Sequence, residues 1–256
     1  MRNALTILML SVLVCSAQTS FMDNTETMIV PQGLVGYWPM STYNQYNRSN
    51  YSDLSGNGNN ATNSGINLAT NYAGIVNDTC AFFSSAKTNA FRMGNGAVFS
   101  TGNITNGLTL SCWIKQTAAN SDATIMGKLF GTTSPYQTYQ LGASRAGSGN
   151  VSLEIQVGSV AKTCDCAVTN KWNVWNHYVG TWDGTSEIIY LNGLASNTNS
   201  AAAGTIASTN FSTCDFSVGG IPNRPGYYFN GAIDDPRLYN RPLTSNEVYK
   251  LYNAGH

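Results

Sequence analysis

Apolar and polar positions alternate with period two through most of this chain. Leu108, Leu110, Cys112 and Ile114 fall on one face of a segment that runs on to Lys115. Val151-Ser152-Leu153-Glu154-Ile155-Gln156-Val157 alternates the same way, with its polar set facing away from its apolar set. Half-buried antiparallel strands have this pattern, because successive side chains point to opposite faces. Glu187 to Leu191 runs into Asn192-Gly193, a strong hairpin-turn dipeptide. Phe216-Ser217-Val218 is a short strand before Gly219-Gly220, and Asn230-Gly231 opens a strand carrying Asp234 and Asp235. No helical period occurs before Thr244. There Thr244 and Glu247 have capping-box spacing, and Val248, Leu251 and Tyr252 make the apolar face of a short helix. The predicted fold is all-β: an antiparallel two-sheet β-sandwich, or jelly roll, with a short C-terminal helix. Pro236 lacks a ladder donor and is expected on an edge or at a bulge.

The N-terminus departs from this pattern. Arg2, the apolar run Leu5–Val14 and the small residues Cys15-Ser16-Ala17 read as a secretory signal over residues 1–17. The run is shorter than the ~20 residues a membrane span needs. Residues 18–31 are a polar lead-in, and residues 32–256 form the sandwich. The expected location is secreted or extracellular.

Charge narrows the picture. Charged residues make up 10% of the chain, with 13 Lys+Arg against 13 Asp+Glu. That balance lacks the basic patch a nucleic-acid partner requires. Beyond the signal lie Cys80, Cys112, Cys164, Cys166 and Cys214. Export favours one or two structural disulfides of unknown pairing, and an odd count leaves a covalent dimer open through an unpaired cysteine. Cys112 also reads as a small buried residue of its strand. Asn-x-Ser/Thr sequons at Asn47, Asn50, Asn60, Asn77, Asn103, Asn150 and Asn210 mark surface loops if the host glycosylates them.

Four segments in order resemble one family. They are Gly33-Leu34-Val35-Gly36-Tyr37-Trp38-Pro39; Asp53-Leu54-Ser55-Gly56-Asn57-Gly58-Asn59-Asn60; Trp175 to Gly184 followed by Ile189 to Gly193; and Tyr227 to Gly255. Together they are similar to the laminin-G-like jelly rolls of the concanavalin A-like lectin/glucanase superfamily. In such domains calcium clips the first loop to the last strand. The resemblance therefore implies a structural Ca2+, with Asp53 and Asp234 as side-chain ligands and Asn57 and Asn59 giving side-chain or backbone oxygens. Strand alternation puts Asp234 on the side of Leu238, and a buried carboxylate needs a partner. The alternative is that Asp53 caps a turn and Asp234 pairs with Arg237 or an N–H group. An acidic residue expected near Met40-Ser41-Thr42 is missing.

The superfamily includes glucanases, yet a carboxylate pair for glycoside hydrolysis is not apparent. Glu26, Glu154, Glu187 and Glu247 each stand alone on their segments. His177 reads as a structural residue within a strand, and no nucleophile-elbow motif occurs. No catalytic residue is assigned, and a hydrolase or lyase is the least favoured reading. Sugar binding fits better. Tyr43, Tyr46 and Tyr51 interleave with Asn44, Asn47 and Asn50, and Tyr136 and Tyr139 form a second candidate. Tyrosine offers a rigid amphipathic face and asparagine adaptable hydrogen bonds. The competing reading packs these tyrosines onto the sandwich. Trp38, Trp113, Trp172, Trp175 and Trp182 are expected to pack the core or sheets. The expected function is a secreted, non-catalytic, calcium-assisted carbohydrate-binding module with an extracellular glycan or glycoprotein partner. The alternative is a structural or adhesive protein that binds other proteins.

Overall fold

The computed structural model describes residues 30–40, 50–63, 67–70, 79–86, 89–94, 96–99, 104, 107–118, 122–129, 137–143, 149–167, 171–206, 214–222 and 224–254. In chain order the strands are β1 (Leu34–Tyr37), β2 (Asn50–Tyr51), β3 (Ala61–Asn63), β4 (Asn67–Thr70), β5 (Thr79–Phe83), β6 (Phe91–Gly94), β7 (Leu108–Gln116) and β8 (Ala123–Leu129). They continue as β9 (Gln137–Ala143), β10 (Val151–Val157), β11 (Val160–Asp165), β12 (Asn176–Trp182), β13 (Glu187–Leu191), β14 (Leu194–Asn199), β15 (Phe216–Val218) and β16 (Gly231–Tyr239). Helix α1 (Ser245–Ala254) closes the chain.

The strands form two eight-stranded sheets. The first runs β14-β13-β12-β7-β16-β5-β4, with β1 also on β16, and the second runs β11-β10-β9-β8-β15-β6-β3-β2. The pairing is antiparallel along both sheets. The alternation read from sequence sets the faces. Leu108, Leu110, Cys112 and Ile114 of β7 meet Val151, Leu153 and Ile155 of β10 in the core between the sheets. Trp38, Phe99 and Phe216 anchor one end, with Phe99 stacked on Phe216 at 5.1 Å between ring centroids. The hairpin turn adopts the expected left-handed pair, with Asn192 at φ 50 and Gly193 at φ 81.

A smaller core lies on the outer face of the first sheet. Val179, Tyr190 and Tyr239 pack there against Leu243, Val248 and Leu251 of the α1 region. The capping box forms as its spacing requires. Thr244 N–H donates to Glu247 Oε2 at 2.8 Å, and Glu247 N–H donates to Thr244 Oγ1 at 3.3 Å. His177 is buried on this face, 2.9 Å from Ser111 Oγ and stacked near Trp113 and Tyr252, which suits a structural residue.

Strand β16 departs from simple alternation. Its register shifts between Asp234 and Arg237, and Asp235 has φ 49. Pro236 therefore sits in a bulge, one of the two places a strand proline is tolerated. Before the bulge β16 pairs with β5, and after it the same edge pairs with β1. The extra residue flips the parity, so Ile233 and Leu238 both face the core. This corrects the expectation that Asp234 shares a face with Leu238. Asp234 is instead opposite Trp113, on the outer side of the first sheet.

Cysteine pairing also differs from expectation. All five described cysteines are buried, and no disulfide is formed among the described residues. Cys112 lies inside the sandwich on β7 and Cys164 on β11 of the other sheet. Cys166 Sγ lies 3.2 Å from Ser196 Oγ rather than beside another sulfur. Cys112 behaves as a small apolar side chain of the core.

Candidate functional site

The loop after β1 is built around Asp53. Its Oδ1 accepts the N–H of Tyr37 at 3.0 Å and of Ser55 at 2.9 Å, and its Oδ2 accepts the N–H of Asn59 at 3.0 Å. Asn57 and Asn59 turn their amide nitrogens toward β1. Asn57 Nδ2 donates to Leu34 O at 2.9 Å, and Asn59 Nδ2 donates to Val35 O at 2.8 Å. The backbone oxygen of Asn59 accepts the Trp38 indole N–H at 2.7 Å. Asp234 Oδ1 accepts the N–H of Met40 at 3.3 Å and of Asp235 at 2.9 Å.

These four residues do bring the first loop and the last strand to β1, but through hydrogen bonds. Calcium needs six to eight oxygen ligands. Here the Asp53 oxygens, the Asn59 carbonyl and Asp234 Oδ1 already accept N–H groups. Among the described residues no three His, Cys, Asp or Glu side chains gather where they would hold a metal. Asp53, Asn59 and Asp234 thus hold the loop and the last strand to β1 through hydrogen bonds of their own. Positive charge comes instead from Arg237, 2% exposed, whose Nη2 lies 3.4 Å from Asp235 Oδ2 and whose guanidinium lies 4.1 Å from the Tyr37 ring centroid.

The tyrosine candidates fare differently. Tyr43, Tyr46 and Tyr136 lie outside the described residues. Tyr51 and Tyr139 are fully buried. Tyr51 packs edge-on against Phe91 at 4.5 Å, and the Tyr139 hydroxyl donates to Phe99 O at 2.9 Å. Neither ring is offered to a ligand, which corrects both assignments. The physical cause is register: each tyrosine occupies the inward position of its strand.

The outer face of the second sheet is where polar groups collect. Strand register aligns Thr163, Glu154, Gln140, Gly127, Ser217, Arg92, Thr62 and Asn50 in one row across all eight strands. Their sequence neighbours Leu153, Tyr139, Leu141, Phe216, Val218, Phe91 and Ala61 face the core, so the side chains from Thr163 to Thr62 lie on the other side of the sheet, where Glu154, Gln140 and Ser217 are nonetheless buried. At ~4.8 Å per strand the row spans roughly 34 Å. Lys128 takes the inward register opposite Phe216 and Tyr139 and is buried. Among the described residues, Arg92, paired with Asp215 at 2.6 Å, and Arg224 bring positive charge to this side of the sheet.

A cleft of about 170 Å³ opens over part of this row, lined by Asp122, Gln140, Gly142, Glu154, Arg224 and Tyr227 among others. Glu154 and Gln140 are directly opposite one another. Thr124 Oγ1 donates to Gln140 Oε1 at 3.2 Å, which leaves the Gln140 amide nitrogen as the donor toward the cleft. Gly142 lies on the floor beside Glu154, where a Cβ would be in ordinary contact with Glu154 Oε1 at 3.5 Å. The rim is placed by the backbone: Thr124 N–H donates to Tyr227 O at 3.0 Å, and the Arg224 guanidinium lies 4.8 Å from the Tyr227 ring centroid. A carboxylate, an amide, a cation and a phenol thus surround one opening. Such a set can receive and donate several hydrogen bonds to a hydroxyl-rich ligand.

Sequence reasoning passed over these residues. Glu154 stands alone on its strand in sequence, so nothing local marks it as part of a site. The signal for them is the polar half of the β10 alternation, Ser152, Glu154 and Gln156, whose side chains are buried rather than left to solvent. Arg224 and Tyr227 carry no local signal, because only tertiary packing brings their loop to β8.

Comparison with known proteins agrees with this architecture. The profile described as the concanavalin A-like lectin/glucanases superfamily matches residues 85–249. A search of curated sequences found no match. Domain 4 of AbnA, an extracellular GH43 arabinanase from Geobacillus stearothermophilus in complex with arabinotriose, superposes with TM-score 0.62 at 18% identity, over 86% of this chain and 98% of that one. The binding domain of Paraclostridial Mosquitocidal Protein 1 gives 0.64 at 17% identity, over 88% of this chain and 53% of its own. The binding domain of botulinum neurotoxin DC in complex with SialylT gives 0.59 at 13% identity, over 89% and 52%. The chain thus spans about half the length of the two toxin domains. At these identities the likeness is one of fold.

Proposed function

Because this chain belongs to the concanavalin A-like lectin/glucanase superfamily, we propose that it is a non-catalytic glycan-binding module whose ligand enters the cleft over the outer side of the second sheet. The observation that carries this reading is the outward polar row with Gln140 and Glu154 paired beneath the cleft. Hydroxyl groups of a sugar donate to the Glu154 carboxylate and accept from the Gln140 amide, while Tyr227 and Arg224 bound the rim. Two similar structures support the ligand class, one holding arabinotriose and one SialylT. The proposal needs no metal at Asp53 or Asp234. It places the protein outside the cell, exported by residues 1–17, with an extracellular glycan or glycoprotein as partner.

The test is a glycan array with the full chain, in calcium and in chelator, alongside Glu154→Gln and Gln140→Ala. Binding to one sugar class, unchanged by chelator and weakened about tenfold or more in each variant, is expected, since a hydrogen bond to a charged group contributes roughly 1.5–3 kcal/mol. Folded protein that binds no glycan, or variants that bind as the parent does, would defeat the proposal. Asp122 and Glu154 both line the cleft, so the bound sugar is also assayed for cleavage. Release of product that stops in Glu154→Gln would replace the binding module with a hydrolase.

A further inference from the structure

The wall of the cleft across β9 from Glu154 is one stiff loop. After β15 the Ser217 hydroxyl donates to Gly220 O at 2.7 Å, which holds the chain to the outer side of the second sheet. Arg224 N–H donates to Ile221 O at 3.1 Å, and Tyr227 O accepts the Thr124 N–H, so the loop comes back to β8. Pro222 and Pro225 bracket Arg224 in sequence and fix φ at both positions. Glu154 stands on β10, with Gln140 and Gly142 of β9 between it and β8. Fixed backbone bounds the cleft on one side and buried polar side chains bound it on the other.

Asp122 and Glu154 bring carboxylates to this opening and Arg224 brings a guanidinium; among the described residues no other charged group lines it. Glu154 is 3% exposed, so water and salt screen it little. Arg224, with its guanidinium over the Tyr227 ring, offsets one of the two carboxylates. Groups farther out do not reverse the balance. Asp165 Oδ1 accepts from Ser152 Oγ at 2.6 Å, and Ser152 is opposite Gly142. Arg92 is matched by Asp215. Lys128 is turned to the core, and Lys162 is opposite the core residue Ile155. Arg145, between β9 and β10, lies outside the described residues. Counting it gives two cations, Arg145 and Arg224, against three carboxylates, Asp122, Glu154 and Asp165.

A neutral sugar hydroxyl donates to a carboxylate and accepts from the Gln140 amide. An ionised sugar carboxylate has no proton to donate, and it adds a like charge where little water screens it. On the glycan-binding reading, from which this follows, we infer that the cleft takes sugar residues without an acidic group, and that Asp122 and Glu154 reject sialic and uronic acids.

The experiment is an array of matched glycans read with the full chain at neutral pH. Each hexose-terminated glycan stands beside its uronic-acid counterpart, and each galactose-terminated glycan beside its sialylated form. Expected is binding to the neutral member of a pair about tenfold or more stronger than to the acidic one. Asp122 has φ 60, which asparagine also tolerates, so Asp122→Asn removes the charge and keeps the backbone. In Asp122→Asn and in Glu154→Gln the ratio of acidic to neutral binding rises about threefold or more, whatever the change in neutral binding itself. Acidic members bound as well as neutral ones, or a ratio unmoved in both variants, would overturn the inference and leave glycan binding standing. A folded chain that binds no member of any pair would defeat both.

Discussion

The Tyr37 hydroxyl donates to Asp235 Oδ1 at 2.9 Å, across 198 positions of sequence. This bond joins the first strand to the last at the bulge, where Asp235 holds a left-handed conformation. Arg237 completes the group from above the Tyr37 ring. All three side chains are buried. Replacing Arg237 by Ala leaves the Asp235 carboxylate buried without its cation. The expected cost is about 3–5 kcal/mol, read by urea unfolding. Tyr37→Phe is expected to cost less, about 1–3 kcal/mol, for a single lost hydrogen bond to a charged group. Equal stabilities would show that the ion pair contributes nothing.

The Asp53 loop predicts a melting behaviour. With Asp53 accepting three main-chain N–H groups, Asp53→Ala strands those donors and is expected to lower stability by about 1–3 kcal/mol. The loss should be the same in calcium and in chelator, and the parent should melt at one temperature in both. A calcium-dependent rise in the parent melting temperature that Asp53→Ala removes would restore a metal at this loop.

Glu187 sets a pH dependence. Its side chain is fully buried, with Oε2 accepting from Asn199 Nδ2 at 2.9 Å. Burial pushes its carboxyl up from 4.5 to about 7, with the Asn199 bond opposing and Glu154 adding to the rise. Between those values the folded chain holds a proton that the unfolded chain has released. Stability therefore falls as pH rises from about 4.5 to about 7 and levels off above. The slope from one proton approaches roughly 1.4 kcal/mol per pH unit. Glu187→Gln should flatten this window and melt higher than the parent at pH 8, checked by thermal melts across the range.

The helix cap works in the opposite direction. Arg241 hydrogen-bonds Glu247 and, with the Thr244 bonds, holds its carboxyl down at about 2. A depressed carboxyl contributes stability above about 4.5 that disappears as pH falls toward about 2. Thr244→Ala should cost about 1 kcal/mol at neutral pH. Glu247→Gln should weaken the acid limb of the stability profile. A parent whose stability is flat between those pH values would contradict the pairing with Arg241.

The thiols predict chemistry too. Burial pushes the Cys112 thiol well above its ordinary value and Cys164 up to about 11. All five described cysteines are buried, and the thiolate is the reactive form. A thiol reagent should label them only after unfolding, and electrophoresis with and without reductant should give the same monomer band. A reductant-sensitive dimer would point to a thiol that reaches the surface.

Much of this fold could be read from local pattern, because strand faces, the Asn192-Gly193 turn and the Thr244–Glu247 cap are each decided by residues a few positions apart. Alternation placed Cys112 in the core, and the missing N–H of Pro236 placed the bulge. What local pattern does not contain is pairing between distant strands. The bulge reversed the parity of β16 and moved Asp234 off the Leu238 face. Tyr51 and Tyr139 lie inward because of the register of β2 and β9, whereas Trp172 stands outward on a loop that no strand covers. The polar row exists because register aligns single residues from eight strands, and the cleft exists because the Arg224–Tyr227 loop folds over β8. Side-chain chemistry along the chain determined that this is a β-sandwich with a polar surface. Long-range strand pairing alone decided which polar groups share a face, and so where a ligand finds several of them together.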